Sequence, residues 1–294
     1  MKRNIAFLGP KATFTDLAVS AMFPEEEKLP MLTIPECLDA VYEGKAEIAV
    51  VPLENALEGS VNITLDYLIH EVGLPIQGEI NAPIRQHLMV HPNHAENWKE
   101  VEMIFSHSHA IAQCHKFLHK ELKGIPCENL TSTAAAAKLV KDSPKRKIAA
   151  IANELAAKEY GLTIVKEDIH DYHHNHTRFI VVSKHKVTFQ NYEAQEHGVK
   201  TTLMIVLPDD HAGALHQVLS AFSWRRLNLS KIESRPMKTG LGNYFFIIDI
   251  EQELDDVLIP GAIQELEALG CKVSVLGSYR SFLIENKTIV KYEW

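Results

Sequence analysis

The 294-residue chain has few cysteines, and none is spaced to suggest a metal cluster or a disulfide framework. Cys37, Cys114, Cys127 and Cys271 lie far apart without a CxxC pair, so we expect buried free thiols. Histidines are more numerous, 16 in all, but they too lack a recognised ligand spacing such as HExxH. The sequence therefore predicts neither a bound metal nor a cofactor.

Long apolar runs and an excess of positive charge are also missing. No segment approaches the roughly 20 apolar residues that span a bilayer, and the apolar run at residues 5–8 is too short for a signal peptide. A cytoplasmic protein with no membrane partner is therefore expected. The formal net charge of -8 argues against a nucleic-acid partner, because such a partner demands a basic patch.

Motifs for nucleotide binding and for a serine nucleophile are absent from the sequence. There is no P-loop, no GxGxxG after a strand and no GxSxG elbow. The candidate sites that remain are polar, with uncharged or singly charged side chains. Such sites suit the binding of an organic acid while its bonds rearrange.

What the first 184 residues do contain is a repeated unit of apolar strand, Gly, Pro or Ser break, hydroxyl residue and helix. This alternation predicts an α/β domain. Hydroxyl residues stand near expected helix starts: Thr13, Ser106, Ser132 and Thr133. Each hydroxyl could simply cap its helix. Alternatively, several helix N-termini that meet in one cleft would bind carboxylates through their free amides.

The C-terminal part has a different pattern. Residues 184–200 are polar, lack an apolar period and indicate a linker. The following strands and helices occur in the order βαββαβ, with the last strand expected at residues 272–276. This order predicts a ferredoxin-like domain.

Residues 175–179 form the most informative stretch, because Asn175, Thr177, Arg178 and Phe179 lead into a β-branched apolar strand. Side chains alternate along a strand, so Thr177 and Phe179 share one face and Arg178 takes the other. A plain strand end with an exposed arginine is one interpretation. A site for an anionic organic acid is the other.

Two further segments carry candidate site residues. Glu54 and Asn55 follow a buried strand, where partial desolvation would favour the protonated form of Glu54 and suit it to general acid catalysis. A surface turn is the alternative there. Gln113 lies in an otherwise apolar helix expected at residues 110–118, so its amide needs either a ligand or a backbone partner.

In combination, these segments resemble prephenate dehydratase followed by a regulatory ACT domain, in the family's order. The catalytic motifs are residues 9–15, 51–55 with 58–61, 106–107 with 112–114, 132–136 and 175–179. The ACT motifs are Gly213-Ala214-Leu215-His216 and Glu233-Ser234-Arg235-Pro236. Ala12 stands where a glycine is common, and Ser108-His109 replaces a frequent Pro-Gln pair.

The resemblance implies a catalytic domain at residues 1–184 with two periplasmic-binding-protein-like α/β lobes, the second at about 81–165, and a ferredoxin-like ACT domain at 200–280. The implied reaction converts prephenate to phenylpyruvate, with loss of carbon dioxide and the ring hydroxyl, in phenylalanine biosynthesis. L-phenylalanine is the implied feedback inhibitor, bound at the ACT motifs of a homodimer or homotetramer. Arogenate dehydratase and a non-catalytic amino-acid sensor are the alternatives.

Roles for single residues follow from the same resemblance. Thr177 is expected to donate a hydrogen bond to the leaving hydroxyl, with Glu54 as the proton source. The remaining catalytic and substrate-binding candidates are Asn55, Gln113 and Asn175 as positioning groups, Thr13, Ser132, Thr133 and Arg178 as carboxylate ligands, Ser106 as a further substrate-binding residue, and Phe179 beside the ring. A bend at the start of the strand would let Thr177 and Arg178 contact one substrate.

Overall fold

The computed structural model describes residues 2–189, 194–209, 211–237 and 244–284. The strands up to residue 189 are β1 (Asn4–Leu8), β2 (Glu27–Met31), β3 (Ile48–Asn55), β4 (Gly59–Ser60), β5 (Ile76–Pro83), β6 (His87–Val90), β7 (Met103–Ser106), β8 (Cys127–Asn129), β9 (Ile148–Ala152), β10 (Thr163–Lys166) and β11 (His176–Val182). The helices there are α1 (Phe14–Met22), α2 (Ile34–Tyr42), α3 (Asn62–Tyr67), α4 (Ser108–Ala112), α5 (His115–Glu121), α6 (Thr133–Lys141) and α7 (Glu154–Tyr160). A π-helical turn at Leu68–Val72 continues α3, and short 3-10 turns lie at Pro92–His94 and Trp98–Glu100.

The C-terminal domain has the expected βαββαβ order. Its elements are β12 (Ala194–Val206), α8 (Ala214–Ser223), β13 (Leu229–Pro236), β14 (Tyr244–Ile250), α9 (Leu258–Ala268) and β15 (Lys272–Ile284). The first and last strands of this domain are longer than the sequence indicates, since β12 begins inside the expected linker and β15 runs well past residue 276. They pair with each other along their length. The polar ends of these two strands lack an apolar period in their sequence, but backbone hydrogen bonds between the strands still hold them in the sheet.

Two sheets form two α/β lobes. The first lobe has the strand order β5-β11-β3-β1-β2, and the second has the order β10-β6-β9-β7-β8. The chain crosses between the lobes after β5 and again before β11, and an ion pair between Arg85 and Asp168 joins the two crossings. This architecture confirms the expected two-lobed α/β fold followed by a ferredoxin-like domain. None of the helices in the described ranges is long and apolar enough to cross a membrane.

The sheet of the C-terminal domain continues the sheet of the first lobe. Residues 280–283 of β15 pair in parallel with residues 78–81 of β5, which extends the order to β13-β14-β12-β15-β5. The two backbones approach closely at Gly277, where a Cβ atom would lie 2.3 Å from the carbonyl oxygen of Ile76. Only glycine fits this contact, which holds β15 of the C-terminal domain directly against β5.

The alternation of β11 divides its apolar residues between two cores. Phe179 and Val181 pack with α1 on one side of the sheet. Ile180 and Val182 pack on the other side with α2 and with Phe245 of the C-terminal domain. A strand buried on both faces has a continuous apolar sequence, as this one does.

Three of the four cysteines are buried, as expected, but Cys127 is exposed. Its strand, β8, forms the edge of the second sheet and pairs with β7 alone among the described strands. Burial raises the pKa of the Cys37 thiol to about 12, with a smaller contribution from Glu36. This thiol is therefore protonated at neutral pH and is a poor nucleophile.

Candidate active site

The ends of β3 and β11 lie side by side and carry the paired residues of the candidate site. Thr177 lies opposite Asn55, and Arg178 lies opposite Glu54. Because successive side chains of a strand point to opposite faces, Asn55 and Thr177 share one face, here called the front face. Glu54 and Arg178 share the other, the back face. The pairing register shifts after Arg178, but this irregularity does not bring Thr177 and Arg178 to one face.

On the front face, Asn55 orients the hydroxyl of Thr177. The Oδ1 atom of Asn55 accepts the backbone N–H groups of Leu57 at 3.0 Å and Glu58 at 3.1 Å, which fixes the direction of its amide. Its Nδ2 then donates to Oγ1 of Thr177 at 2.9 Å and to Oδ1 of Asn175 at 2.9 Å. The Thr177 oxygen therefore accepts a hydrogen bond. None of the described residues accepts a hydrogen bond from the Thr177 hydroxyl.

Gln113 carries this network to the second lobe. The Nδ2 of Asn175 donates to Oε1 of Gln113 at 3.2 Å, and the Nε2 of Gln113 donates to Oε1 of Glu58 at 3.4 Å. Gln113 follows the last residue of α4, and α5 begins two residues later, so the single helix expected at residues 110–118 is broken here. The break leaves the Gln113 side chain between the lobes.

Glu58 and His109 are two residues of the candidate site that lie in or beside the motifs of the sequence but received no role from it. The Nδ1 of His109, in the second lobe, lies 3.3 Å from Oε2 of Glu58, in the first. The His107 ring lies 5.0 Å from that of His109. Burial and His109 lower the pKa of His107, while Glu58 opposes them. The sequence does contain one signal for Glu58, because it stands three residues after Asn55. An asparagine side chain in a turn commonly accepts the backbone N–H of a residue at such a spacing.

The loop after β1 lies between the lobes, as expected for the opening motif. The Nδ2 of Asn153 donates to the carbonyl oxygen of Ala12 at 3.1 Å, and the backbone N–H of Ala12 donates to Oδ2 of Asp16 at 2.7 Å. Ala12 packs in the core of the second lobe. Its φ of 65° is left-handed, which costs a residue with a Cβ about 1–2 kcal/mol. A glycine would adopt this conformation without that cost.

Two predicted hydroxyls cap helices. The Oγ1 of Thr13 accepts the N–H of Asp16 at 3.3 Å, and the Oγ of Ser132 accepts the N–H of Ala135 at 3.0 Å. Thr133 is buried in the first turn of α6. Capping accounts for these two side chains, so the backbone N–H groups of the same helix starts are the better candidates for binding an anion.

Two expected substrate contacts lie away from this network. Ser106 is fully buried, and its hydroxyl donates to the carbonyl oxygen of Ile151 at 2.6 Å. Phe179 is buried in the core beneath α1, because alternate residues of β11 belong to that core. Neither side chain reaches the front-face network, so the structure does not support their roles beside the substrate.

Arg178 is enclosed on the back face and is only 9% exposed. Its Nε donates to Oε2 of Glu79 at 2.5 Å, and its Nη2 donates to the Tyr279 hydroxyl at 3.2 Å. Its Nη1 forms an ion pair with Oδ2 of Asp249 at 2.6 Å. Burial alone would lower the pKa of Arg178, but the surrounding oxygens hold it well above its ordinary value. This guanidinium binds protein oxygens and is not an open carboxylate ligand.

Glu54 also faces away from Thr177. Its Oε2 lies 2.9 Å from Nζ of Lys231 and 3.6 Å from Nη1 of Arg178. Two cations on the back face therefore hold this carboxylate, and it is not placed to deliver a proton to an oxygen beside Thr177. The structure does not support its role as the proton source.

The first candidate motif of the C-terminal domain lies at the start of α8. Gly213 precedes the helix with a φ of 94°, a left-handed conformation that favours glycine. Ala214 is buried, whereas Leu215 and His216 are exposed. The helix start therefore offers backbone N–H groups and two accessible side chains.

The second candidate motif, on β13, divides between two faces. The Oε2 of Glu233 accepts the Ser60 hydroxyl at 2.7 Å, and the Nη2 of Arg235 donates to Oδ1 of Asp66 at 2.5 Å. These two side chains bind the first lobe, so they are not available to an amino-acid ligand. Alternation places the other two motif residues, Ser234 and Pro236, on the exposed face.

The chain matches two family models, prephenate dehydratase over residues 5–187 and ACT domain over residues 201–269. A prephenate dehydratase of Bacillus subtilis (strain 168) is 61% identical over 282 residues, which cover 95% of this chain and 99% of that protein. A solved prephenate dehydratase from Arthrobacter aurescens in complex with L-Phe has a TM-score of 0.81 at 35% identity, covering 94% of this chain and 89% of that one. A solved quorum quenching acylase also has a TM-score of 0.81, at 27% identity, covering 95% and 98%.

Proposed function

Because this chain belongs to the prephenate dehydratase family and carries an ACT domain, we propose that it converts prephenate to phenylpyruvate in phenylalanine biosynthesis. The observation that carries this proposal is the orientation of the Thr177 hydroxyl, which accepts from Asn55 and keeps its hydrogen for a substrate oxygen. We assign catalysis to residues 1–184 and regulation to residues 200–280.

The reaction needs orientation and help for the leaving group more than a strong base. The bond between the ring and its carboxylate breaks, and the electron pair moves through the ring as it becomes aromatic. The ring carboxylate departs as carbon dioxide, the carbon–oxygen bond on the opposite side of the ring breaks, and the hydroxyl takes up a proton from solvent and leaves as water. Thr177 stabilises the developing charge on this oxygen. A preorganised donor of this kind commonly contributes about 2.7–4 kcal/mol to lowering the barrier.

The two substrate carboxylates need positive partners other than Arg178. The starts of α1 and α6 offer free N–H groups and the positive ends of two helix dipoles. Both helix starts lie against the core of the second lobe, because Ala12, just before α1, and Ala134 of α6 belong to the same core cluster. We assign the carboxylates to these helix starts, with Gln113 and Asn175 positioning the ring between the lobes.

We also assign feedback inhibition by L-phenylalanine to the ACT domain. The similar Arthrobacter protein was solved in complex with L-Phe. Strand β13 lies at a sheet edge and pairs with β14 alone among the described strands, and Ile232 on this edge is exposed. Edge-to-edge pairing of two copies would cover Ile232 and bring Ser234 to an interface near the start of α8. A homodimer or homotetramer would then bind L-phenylalanine between subunits.

The test is to incubate the purified protein with prephenate or arogenate and to measure the products with and without L-phenylalanine. We expect phenylpyruvate from prephenate, less of it with L-phenylalanine, and little turnover of arogenate. Preferred conversion of arogenate to phenylalanine would replace the proposal by the arogenate alternative. Hydrolysis of an acyl amide without any prephenate turnover would favour an acylase. Family membership already decides against a non-catalytic sensor, because the family is one of enzymes.

A further inference from the structure

We propose that Asp249 and Glu79 are positioning residues for the reaction, and that they act on Thr177 through Arg178. Asp249 belongs to the ACT domain and Glu79 to the first lobe. The ACT domain would therefore support the catalytic strand directly, even in the absence of L-phenylalanine. The inference rests on the proposed function, because Thr177 must be the group that assists the leaving hydroxyl.

The residues that carry this inference form a back cluster of Arg178, Glu79, Asp249, Tyr279 and Thr202. Glu79 is 0% exposed and Asp249 is 1% exposed. Buried charges cannot be compensated by water, so their positions depend on one another. Removing one partner of such a pair leaves an uncompensated charge and displaces the rest.

The carboxylates of the back cluster are themselves held on several sides. Oδ1 of Asp249 accepts the Thr202 hydroxyl at 2.6 Å, and Thr202 lies 2.7 Å from the Tyr279 hydroxyl. Oε1 of Glu79 accepts from Lys200 at 2.8 Å and, from β15, from the Ser281 hydroxyl at 2.8 Å. These contacts join strands β12, β14 and β15 of the ACT domain to β5. The back cluster is therefore a rigid frame built from both domains.

The guanidinium held by this frame belongs to the residue directly after Thr177. Because β11 alternates, the same strand end presents Arg178 to the back cluster and Thr177 to the front-face network. A misplacement of about 1 Å at a catalytic group can cost about 100-fold in rate. Fixing Arg178 on the back face thus fixes the Thr177 hydroxyl on the front.

The contact with Asp249 depends on charge. Its Oδ2 lies 2.6 Å from Nη1 of Arg178 but has no aligned hydrogen bond. An asparagine has the same shape and can still accept from Thr202 through Oδ1, but it would place an N–H group or a neutral oxygen against the guanidinium. Asp249→Asn therefore removes the ion pair with little change in packing.

The experiment compares Asp249→Asn with Glu265→Gln in the full-length protein. Glu265 forms an ion pair with Arg225 within the ACT domain, so its variant also removes one ion-paired acid of that domain but leaves the back cluster intact. We expect Asp249→Asn to lower kcat by about 10-fold with KM within about twofold, because strand position and not substrate binding is lost. Glu265→Gln should keep both constants within about twofold. Equal kcat values for the two variants would overturn the inference.

A second pair of variants tests whether the effect passes through Arg178. Lysine in Arg178→Lys keeps the charge but has a single ammonium in place of the planar fork, so it cannot reproduce the present contacts with both Glu79 and Asp249. In that background Asp249→Asn should change kcat by less than about twofold, because residues that act through a shared contact are non-additive. An unreduced effect there would contradict the proposed path.

Tyr279→Phe keeps the inference testable if the charge variants fail to fold. It removes the hydroxyl that accepts from Nη2 of Arg178 and leaves the ring in the core. A fall in kcat of about threefold at constant KM is expected, and an unchanged kcat would count against the inference. If the unmodified protein forms no phenylpyruvate, the proposed function itself is wrong. If it does, while Asp249→Asn and Tyr279→Phe are fully active, only the positioning role is wrong.

Discussion

The direction of the hydrogen bond at Thr177 can be reversed by one isosteric substitution, Asn55→Asp. In the unmodified protein the Asn55 amide donates to the Thr177 oxygen, so the threonine hydrogen is free. A carboxylate at this position can only accept. The hydroxyl would then donate to the carboxylate and lose its capacity to assist the leaving group.

The local backbone should survive this change. The other oxygen of the new carboxylate can still accept the N–H groups of Leu57 and Glu58, which now bind Oδ1 at 3.0 and 3.1 Å. The cost therefore falls on catalysis. Loss of a preorganised donor raises a barrier by about 2.7–4 kcal/mol, which corresponds to about 100-fold to 1,000-fold in kcat. The added negative charge also repels the dianionic substrate, so KM should rise.

Steady-state formation of phenylpyruvate at saturating prephenate measures this effect on kcat. Asn97→Asp is the matched control, because Asn97 is exposed and its side chain caps no helix. It adds the same charge and should leave kcat within about twofold. If folded Asn55→Asp protein kept kcat within about threefold of the unmodified value, the orientation argument for Thr177 would be refuted.

Three further predictions follow from single contacts. Thr177→Ser should retain most activity and Thr177→Val should lose about 100-fold in kcat at intact folding, since only serine keeps a hydroxyl donor; similar rates for both would exclude the proposed role. His109→Gln should lower kcat/KM, because it removes the contact between His109 and Glu58 that joins the two lobes beside the candidate site; an unchanged kcat/KM would show that this contact does not order the site. Burial acts to raise the pKa of Glu79, but Arg178 and Lys200 lower it to about 2 from an ordinary 4.5. The charged form therefore stabilises the fold fully above pH 4.5, and this contribution is lost as the pH falls through 2. In urea unfolding, the free energy of unfolding of the unmodified protein should fall more steeply between pH 4.5 and pH 2 than that of Glu79→Gln. Equal slopes for the two proteins would show that the charge of Glu79 does not contribute.

The residues of the front-face network could be predicted because each follows a recognisable local pattern. Asn55 and Thr177 stand at the ends of apolar strands, and Asn175 stands just before one. Polar side chains at strand ends of an α/β sheet collect at the edges where ligands bind. The structure brings these three together with Gln113 in one chain of hydrogen bonds. The prediction that they share one site came from the resemblance of the ordered motifs to the prephenate dehydratase family.

Other features depend on contacts that no local pattern encodes. Ser106 and Phe179 have residue types that suit either a site or a core, and only the packing around them decides. The break at Gln113 has no glycine or proline to mark it. The environment of Arg178 requires the pairing of β15 with β5, which joins residues about 200 positions apart. The alternation of side chains along the strand did predict that Arg178 and Thr177 lie on different faces of the sheet. It could not show that another domain covers the face of Arg178.

The two faces of the β3–β11 pair suggest how one domain can influence the chemistry of another without a long path. The front face carries Asn55 and Thr177, and the back face carries their chain neighbours Glu54 and Arg178. Lys231 and Asp249 of the ACT domain bind those neighbours directly. A ligand can shift an equilibrium only through different affinities for its two states. L-phenylalanine would therefore inhibit if it favours a position of the ACT domain that weakens these back-face contacts. A shift of Arg178 on the back face of β11 would also shift the hydroxyl of its chain neighbour Thr177 on the front face.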